Sequence, residues 1–212
     1  MSAAEPSQDL RDLAAAFVVG VQRLRMPDDL FAVLASQALG ECDNPDRRSY
    51  GNNKVDPRFR GERIDITEVL DPMVRAWLCV AGRNYVLRMA ELNRIELAAD
   101  FTVDFAFSWV IRFRQGDYLP IHHHTDDLSG VIYLSIPEPV RDSANISGKI
   151  SFLFGQSKFA NLEFLGDRDV DPVEGDLLIF PAWLQHIVYP FHGDGERIAL
   201  AFNMRVSGIG EP

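Results

Sequence analysis

Between residues 105 and 113 the apolar side chains fall on alternate positions. Phe105, Phe107, Trp109, Ile111 and Phe113 share one face, and Ala106, Ser108, Val110 and Arg112 take the other. A period of two enriched in aromatics predicts a strand. The same texture recurs in short runs through the rest of the chain: 131–136, 149–154, 176–180, 186–189 and 197–204. Turn signals separate these runs, at Gln115-Gly116-Asp117, Ser147-Gly148, Glu174-Gly175-Asp176, Phe180-Pro181 and His192-Gly193-Asp194-Gly195. Many short strands with Gly and Pro turns predict a sandwich or a jelly-roll barrel.

The first hundred residues read differently. Ala16 to Met26 alternates well enough for a strand. Pro27-Asp28-Asp29 then opens a helix, with Leu30, Phe31, Leu34 and Ala38 at helical spacing up to Gly40. Glu41 to Arg63 is rich in Asn, Asp, Arg, Gly and Pro and reads as a long loop, placed to act as a lid or simply as surface. Asp71-Pro72 supplies an N-cap and a first-turn proline. From there Val74, Trp77, Leu78, Ala81, Tyr85, Met89 and Leu92 form one apolar stripe, so 72–97 is predicted as a long amphipathic helix lying on a sheet. The class is α+β, mainly β. The expected organisation is a single domain over 1–212, with a strand and support helices in 1–100 and the jelly-roll core in 101–212.

Composition narrows the partners. The 212 residues carry a net charge of −10, and the 21 basic residues form no block, which argues against nucleic acid and anionic membranes. No apolar run approaches the ~20 residues of a membrane span, and no basic-then-apolar leader precedes the first elements, so a cytoplasmic protein is expected. Cys42 and Cys79 make no scaffold and read as free thiols. The acids divide almost evenly about residue 100, 16 before and 15 after, while the bases divide 13 and 8. All five histidines (His122, His123, His124, His186 and His192) lie in the more acidic second half, which is where a metal would be sought.

If 121–124 is extended, His122 and His124 point to one face and His123 to the other. Two imidazoles at i and i+2 can chelate one metal, and His186, 62 residues beyond His124, is the candidate third ligand. Asp126 leaves an alternative, because His124-Thr125-Asp126 is a His-x-Asp pair that would complete the 2-His-1-carboxylate triad of non-haem iron oxygenases. His192, among Gly and Asp, reads as solvated. In 197–204, Arg197, Ala199, Ala201 and Asn203 share a face opposite Ile198, Leu200, Phe202 and Met204. The second face is core. The first leaves volume beside a cation whose fork matches a carboxylate, and a ligand carboxylate would fill that role.

The pieces SWVIRFRQGDYLPIHHH, LSGVIYLSIP, SGKISF, EGDLLIFPAWLQHIVYP and ERIALAFNM, in that order between Trp109 and Met204, resemble the 2-oxoglutarate- and Fe(II)-dependent oxygenases related to the prolyl 4-hydroxylases. The resemblance implies a double-stranded β-helix with the N-terminal helices packed on one sheet. It also implies a 2-oxoglutarate-dependent dioxygenase, with Fe(II) and 2-oxoglutarate as cofactors, that uses dioxygen to hydroxylate a small molecule or peptide. Gly116-Asp117-Tyr118 places the family's first histidine on His122. His124 falls where wider relatives carry a carboxylate, so the third ligand is His124 or Asp126, with His122, His124 and His186 the favoured set. Arg197, 11 residues after His186, stands near the family's basic residue for the distal carboxylate of 2-oxoglutarate. Ala199 occupies the place of a hydroxyl that many relatives have, and Tyr133 or Asn203 could supply the polar contact instead. Tyr118, Trp109 and Trp183 could wall the cleft. The alternatives are a three-His cupin-type oxygenase that needs no 2-oxoglutarate, and a metal-binding module without catalysis.

Overall fold

In the computed structural model, which describes residues 19–46, 60–154 and 168–208, the strands fall into two antiparallel sheets. In chain order the strands are β1 (Gln22–Arg25), β2 (Glu62–Asp65), β3 (Thr102–Phe113), β4 (Leu119–His122) and β5 (Leu128–Ser135), then β6 (Ile150–Phe152), β7 (Arg168–Val170), β8 (Asp176–Pro181), β9 (His186–Val188) and β10 (Arg197–Ser207). The helices are α1 (Asp28–Cys42), α2 (Pro72–Asn93) and the single turn α3 (Glu138–Arg141). The larger sheet has the order β1-β8-β5-β10-β3-β2 and the smaller β4-β9-β6-β7. From β3 onward the chain passes back and forth between the sheets, which makes the fold a double-stranded β-helix, a jelly roll of α+β, mainly β class.

Two apolar layers hold it together. One lies between the helices and the outer face of the larger sheet, where Leu34, Val74, Leu78 and Tyr85 meet Val110, Ile132, Leu200 and Met204. The other lies between the sheets and contains Trp109, Ile111, Phe113, Val131, Ile150, Phe180 and Val188. The alternation in β10 divides between these layers as its sequence predicts: Ile198, Leu200, Phe202 and Met204 face the helices, and Ala199 and Ala201 face the smaller sheet.

The long helix begins at the predicted cap. The Asp71 carboxylate accepts from the Met73 and Val74 amides at 2.8 and 3.1 Å, satisfying two orphan donors, and Pro72 follows. It ends earlier than predicted, at Asn93, because Arg94 turns left-handed at φ 55° and donates its amide back to Ala90 and Glu91. Gly82 lets α2 settle onto β10, since a Cβ there would lie 2.5 Å from the Met204 sulfur. No described helix is long and apolar enough to cross a membrane.

Several local expectations change. The first strand is confined to 22–25, and residues 16–18 lie outside the described residues. Of the polar stretch Glu41 to Arg63, the start completes α1 and the end opens β2, with 47–59 outside the described residues. In β3, Phe105 does not share the face of Phe107, Trp109, Ile111 and Phe113. The register with β10 shifts so that Asn203 opposes Phe107 but Met204 opposes Phe105, leaving Ala106 as an extra residue. This bulge turns Phe105 over to the helix side, where it packs on Phe202 with ring centroids 5.8 Å apart.

Candidate active site

The hollow between the sheets is where the chemistry-bearing side chains meet. His122 ends β4 and stands opposite His186 in the antiparallel register with β9. Their ring centroids are 4.1 Å apart. His124 lies beyond the end of β4, and its position is fixed by its amide, which donates to the Ala182 carbonyl at 2.8 Å. Ala182 in turn donates to Asp127 O at 3.0 Å, so the turn before His186 and the turn after His124 are laced together. The His124 ring is 5.1 Å from that of His122 and 5.3 Å from that of His186. One ligand nitrogen of each imidazole lies within 4.8 Å of the other two.

The protonation of this trio suits a metal. The Nδ1 of His122 lies 2.8 Å from Pro120 O, and that of His186 lies 2.9 Å from Leu184 O. A carbonyl only accepts, so Nδ1 carries the proton in each ring and Nε2 keeps its lone pair for a cation. Burial pushes His124 down to about 3, with the charges of His122 and Arg63 adding to the effect. Burial, reinforced by His122, pushes His186 down to about 2. The two rings are therefore neutral at pH 7, as a metal ligand must be. Three imidazole ligands leave several positions of an iron open. The donor set therefore fits Fe(II).

Asp126, the alternative ligand, is turned elsewhere. Its Oδ1 accepts from Arg205 Nε at 3.1 Å and its Oδ2 from Asn203 Nδ2 at 2.9 Å. Asn203 also departs from its expected place. Its amide oxygen accepts from Ser129 at 2.6 Å, so oxygen and nitrogen are both engaged outside the hollow. His123 and His192 are exposed, as expected. Trp183 is 60% exposed and lines a separate apolar groove beside α2, so it does not wall this cleft. Trp109 does, with its indole 5.9 Å from the His124 ring.

Deeper in the same hollow lies Arg197, at 2% exposure. No carboxylate pairs with it among the described residues, and its Nε has no hydrogen-bond partner. Its guanidinium sits 5.2 Å from the Tyr133 ring and 5.8 Å from that of Phe113. Burial pulls the Arg197 pKa down, with Tyr133 opposing. Burial raises the Tyr133 phenol, with the Arg197 charge opposing. The Tyr133 hydroxyl is buried without a hydrogen bond of good geometry. Tyr133 is also the register partner of Ala199 on the neighbouring strand. A buried cation beside an unused hydroxyl is a cradle for an anion.

One charged side chain beside the hollow was not singled out in the sequence. Arg63 on β2 stacks over Trp109, its guanidinium carbon 3.9 Å from the ring centroid. It lay in the stretch read as loop. The signal that could have found it is the alternation of the buried Ile64 and Ile66 with Arg63 and Asp65, an edge-strand pattern.

A jelly roll that brings three imidazoles together beside a hollow, with a buried cation behind them, is built as a metal centre with room for an anionic ligand. Residues 107–203, a little under half of the chain, match the model of the family described as "Putative 2OG-Fe(II) oxygenase". That match, together with the three-histidine cluster, makes the protein an oxygenase with iron and 2-oxoglutarate as cofactors. Among solved structures, the chain is similar to a Pseudomonas putida prolyl-4-hydroxylase, with 21% identity and a TM-score of 0.59 over 88% of this chain and 94% of that one. It is similar also to the viral collagen prolyl hydroxylase of Paramecium Bursaria Chlorella virus-1 in complex with 2-oxoglutarate, at 14% identity and a TM-score of 0.53, covering 87% and 94% of the two chains. HygX from Streptomyces hygroscopicus, with nickel, 2-oxoglutarate and hygromycin B bound, matches at 15% identity and a TM-score of 0.55, covering 88% and 83%. These likenesses establish the fold. No curated protein matches the chain.

Proposed function

We propose that this protein hydroxylates an organic substrate, a small molecule or a peptide, and that His122, His124 and His186 hold its iron. The observation that carries the reading is the convergence of three imidazoles from two remote stretches, each within reach of one ion. The same reading assigns Arg197 and Tyr133 to the far carboxylate of 2-oxoglutarate. The Arg197 fork supplies parallel donors and the Tyr133 hydroxyl a further one, in place of the hydroxyl that Ala199 lacks.

When bound, the iron and 2-oxoglutarate would supply the activation of dioxygen. The chain's own contribution is positioning and exclusion. The carbonyls of Pro120 and Leu184 fix the tautomers of His122 and His186, so both rings present a lone pair without reorganising. Ile111, Val131, Ile150 and Val188 line the space between the imidazoles and Arg197. They keep it apolar, which strengthens any ion pair formed at its floor. Residues 101–212 form the catalytic core in this reading and 1–100 its support within one domain, and a cytoplasmic setting agrees with the free thiols of Cys42 and Cys79.

The test is anaerobic titration with Fe(II) and then 2-oxoglutarate. The expected result is a visible metal-to-ligand charge-transfer band, and succinate on admitting air. Absence of both overturns the assignment of cosubstrate and metal together.

A further inference from the structure

A second cation lies beside the hollow that holds Arg197, stacked on Trp109, which lines it. In the antiparallel register of β2 with β3, Arg63 opposes Ile111 and Asp65 opposes Trp109. Ile64 points to the helix-side core, so Arg63 is directed to the side of the smaller sheet. Its guanidinium covers the Trp109 indole at 3.9 Å, and that indole is 5.9 Å from the ring of His124. The charge of Arg63 is felt at His124, where it helps to depress the imidazole pKa.

The place of this stack in the fold matters. β2 is an edge strand of the larger sheet and β4 an edge strand of the smaller. The two edges approach each other at one corner, where the Arg60 amide donates to the Tyr118 carbonyl at 3.1 Å. Arg63 therefore stands on the edge strand that borders this corner, with Trp109 between it and His124. Arg197 is displaced along β3 from there, opposite Phe113. The Arg197 position suits the cosubstrate and the Arg63 position suits what arrives after it.

We propose that Arg63, stacked on Trp109, is a substrate-binding residue of this centre and receives a carboxylate of the molecule to be oxidised. This rests on the reading of His122, His124 and His186 as the iron site. The indole covers one face of the guanidinium and orients its planar fork of donors, a geometry that matches a planar carboxylate. A guanidinium has five N–H donors and a carboxylate needs two, so contacts Arg63 already makes are compatible with this role. The net charge of −10 favours a monoanion over a phosphate dianion at the mouth.

The experiment uses the full chain carrying Trp77→Phe and Trp183→Phe, which leaves Trp109 as its sole tryptophan of the three. The protein is loaded anaerobically with Fe(II) and 2-oxoglutarate. Trp109 emission is then titrated with N-acetylglycine, with the uncharged N-acetylglycinamide and with inorganic phosphate. N-acetylglycine is expected to change the emission saturably, and the amide and phosphate to bind at least about tenfold more weakly. Arg63→Gln should weaken N-acetylglycine by about tenfold or more, while its 2-oxoglutarate charge-transfer titration stays within about twofold of the parent. Arg63→Lys, which keeps the charge and loses the fork, should fall between the two and covers the case in which Gln disturbs β2.

Equal binding of acid and amide, tighter binding of phosphate, no response to N-acetylglycine, or unchanged acid affinity in both variants overturns the inference. So does a matching loss of 2-oxoglutarate affinity in Arg63→Gln, which would give Arg63 to the cosubstrate. In each of these results the parent still shows the charge-transfer band and the iron reading stands. A parent without that band sinks the iron reading itself.

Discussion

His122 and His186 face each other as register partners across β4 and β9, two strands that come from opposite sides of the β5–β8 segment of the chain. The backbone hydrogen bonding of the smaller sheet thus sets the spacing of two of the three imidazoles. His124 joins them through one amide bond to Ala182, outside the ladder. The trio is accordingly built by sheet register at two positions and by turn lacing at the third.

The ligand set separates cleanly by mutation. His186→Ala, His122→Ala and His124→Ala should each lower bound Fe(II) or Co(II) from about one ion per chain to a small fraction of that. His123→Ala, an exposed position, should leave it unchanged. Asp126→Ala should also retain the metal and instead cost stability, because it frees the Asn203 amide and the Arg205 guanidinium from their acceptor. Metal content after desalting and urea unfolding of the same preparations distinguish the two effects. Loss of metal in Asp126→Ala with His124→Ala intact would move the third ligand to the carboxylate.

How much of this was legible in the sequence depends on which residues set it. The two-faced pattern of β10 could be read directly, because both faces are buried and the residues of one are small. Alternation pointed to His122 and His124 together, although His124 is seated by its turn beyond the end of β4, and the seat of His186 opposite His122 left no such sign. Register between strands distant in sequence is decided by the whole sheet and leaves no local mark. Phe105 was misplaced because a bulge at Ala106 has no signature in a run of alternating aromatics. Trp183 was placed at the cleft on its residue type alone, whereas its turn carries it outward. The short edge strands β2 and β7 carry Glu, Arg and Asp, and charge on an edge strand reads as loop. Arg63 was passed over for that reason.

The buried histidines predict a pH dependence for the metal-free protein. Their folded pKa values, about 3 for His124 and about 2 for His186, lie below the ordinary histidine value near 6.5. Between those values the unfolded chain binds protons that the native state refuses. Stability should therefore fall as pH drops through about 6.5, by up to about 1.4 kcal/mol per pH unit for each ring. The direction is the reverse of that for a histidine stabilised by an acidic partner. Urea unfolding in the presence of a chelator, from pH 7.5 to 5, measures the slope, and His124→Gln/His186→Gln should flatten it. A slope unaltered by the double substitution would place the proton uptake elsewhere.

Arg197 should show opposite effects on stability and on binding. Without ligand it is a buried cation with no anion among the described residues. Arg197→Met keeps most of the volume and removes the desolvated charge, so the ligand-free protein should gain about 1–3 kcal/mol in urea unfolding. The same substitution should abolish the rise in Tm that 2-oxoglutarate with Mn(II) confers on the parent, since a ligand that binds only the native state stabilises it by mass action. Tyr133→Phe should reduce that rise without removing it, because the hydroxyl contributes one hydrogen bond beside the charge. If Arg197→Met destabilises the ligand-free protein and leaves the 2-oxoglutarate shift intact, the guanidinium is structural.

Gly130 offers a test of a different kind, since it belongs to a Ser-Gly pair by which the sequence resembles the 2-oxoglutarate oxygenases and it also lines the hollow. Its neighbour Ser129 is explained by its buried bond to Asn203. Gly130 is the register partner of Phe202, and a Cβ built on it would lie 2.2 Å from the Phe202 Cζ. The glycine therefore makes room for a ring of the helix-side core rather than for a ligand. Gly130→Ala should destabilise by about 1–3 kcal/mol through overpacking, since a fully buried Phe202 has little space into which to retreat. Phe202→Leu alone should also destabilise, by leaving unfilled volume. In the double variant the added methyl occupies part of that volume, so the combined loss should be smaller than the sum of the two by about 1 kcal/mol or more. Urea unfolding of the four proteins closes the cycle. Strict additivity would show that the methyl is accommodated elsewhere, and would return Gly130 to the hollow as a residue kept small for whatever binds there.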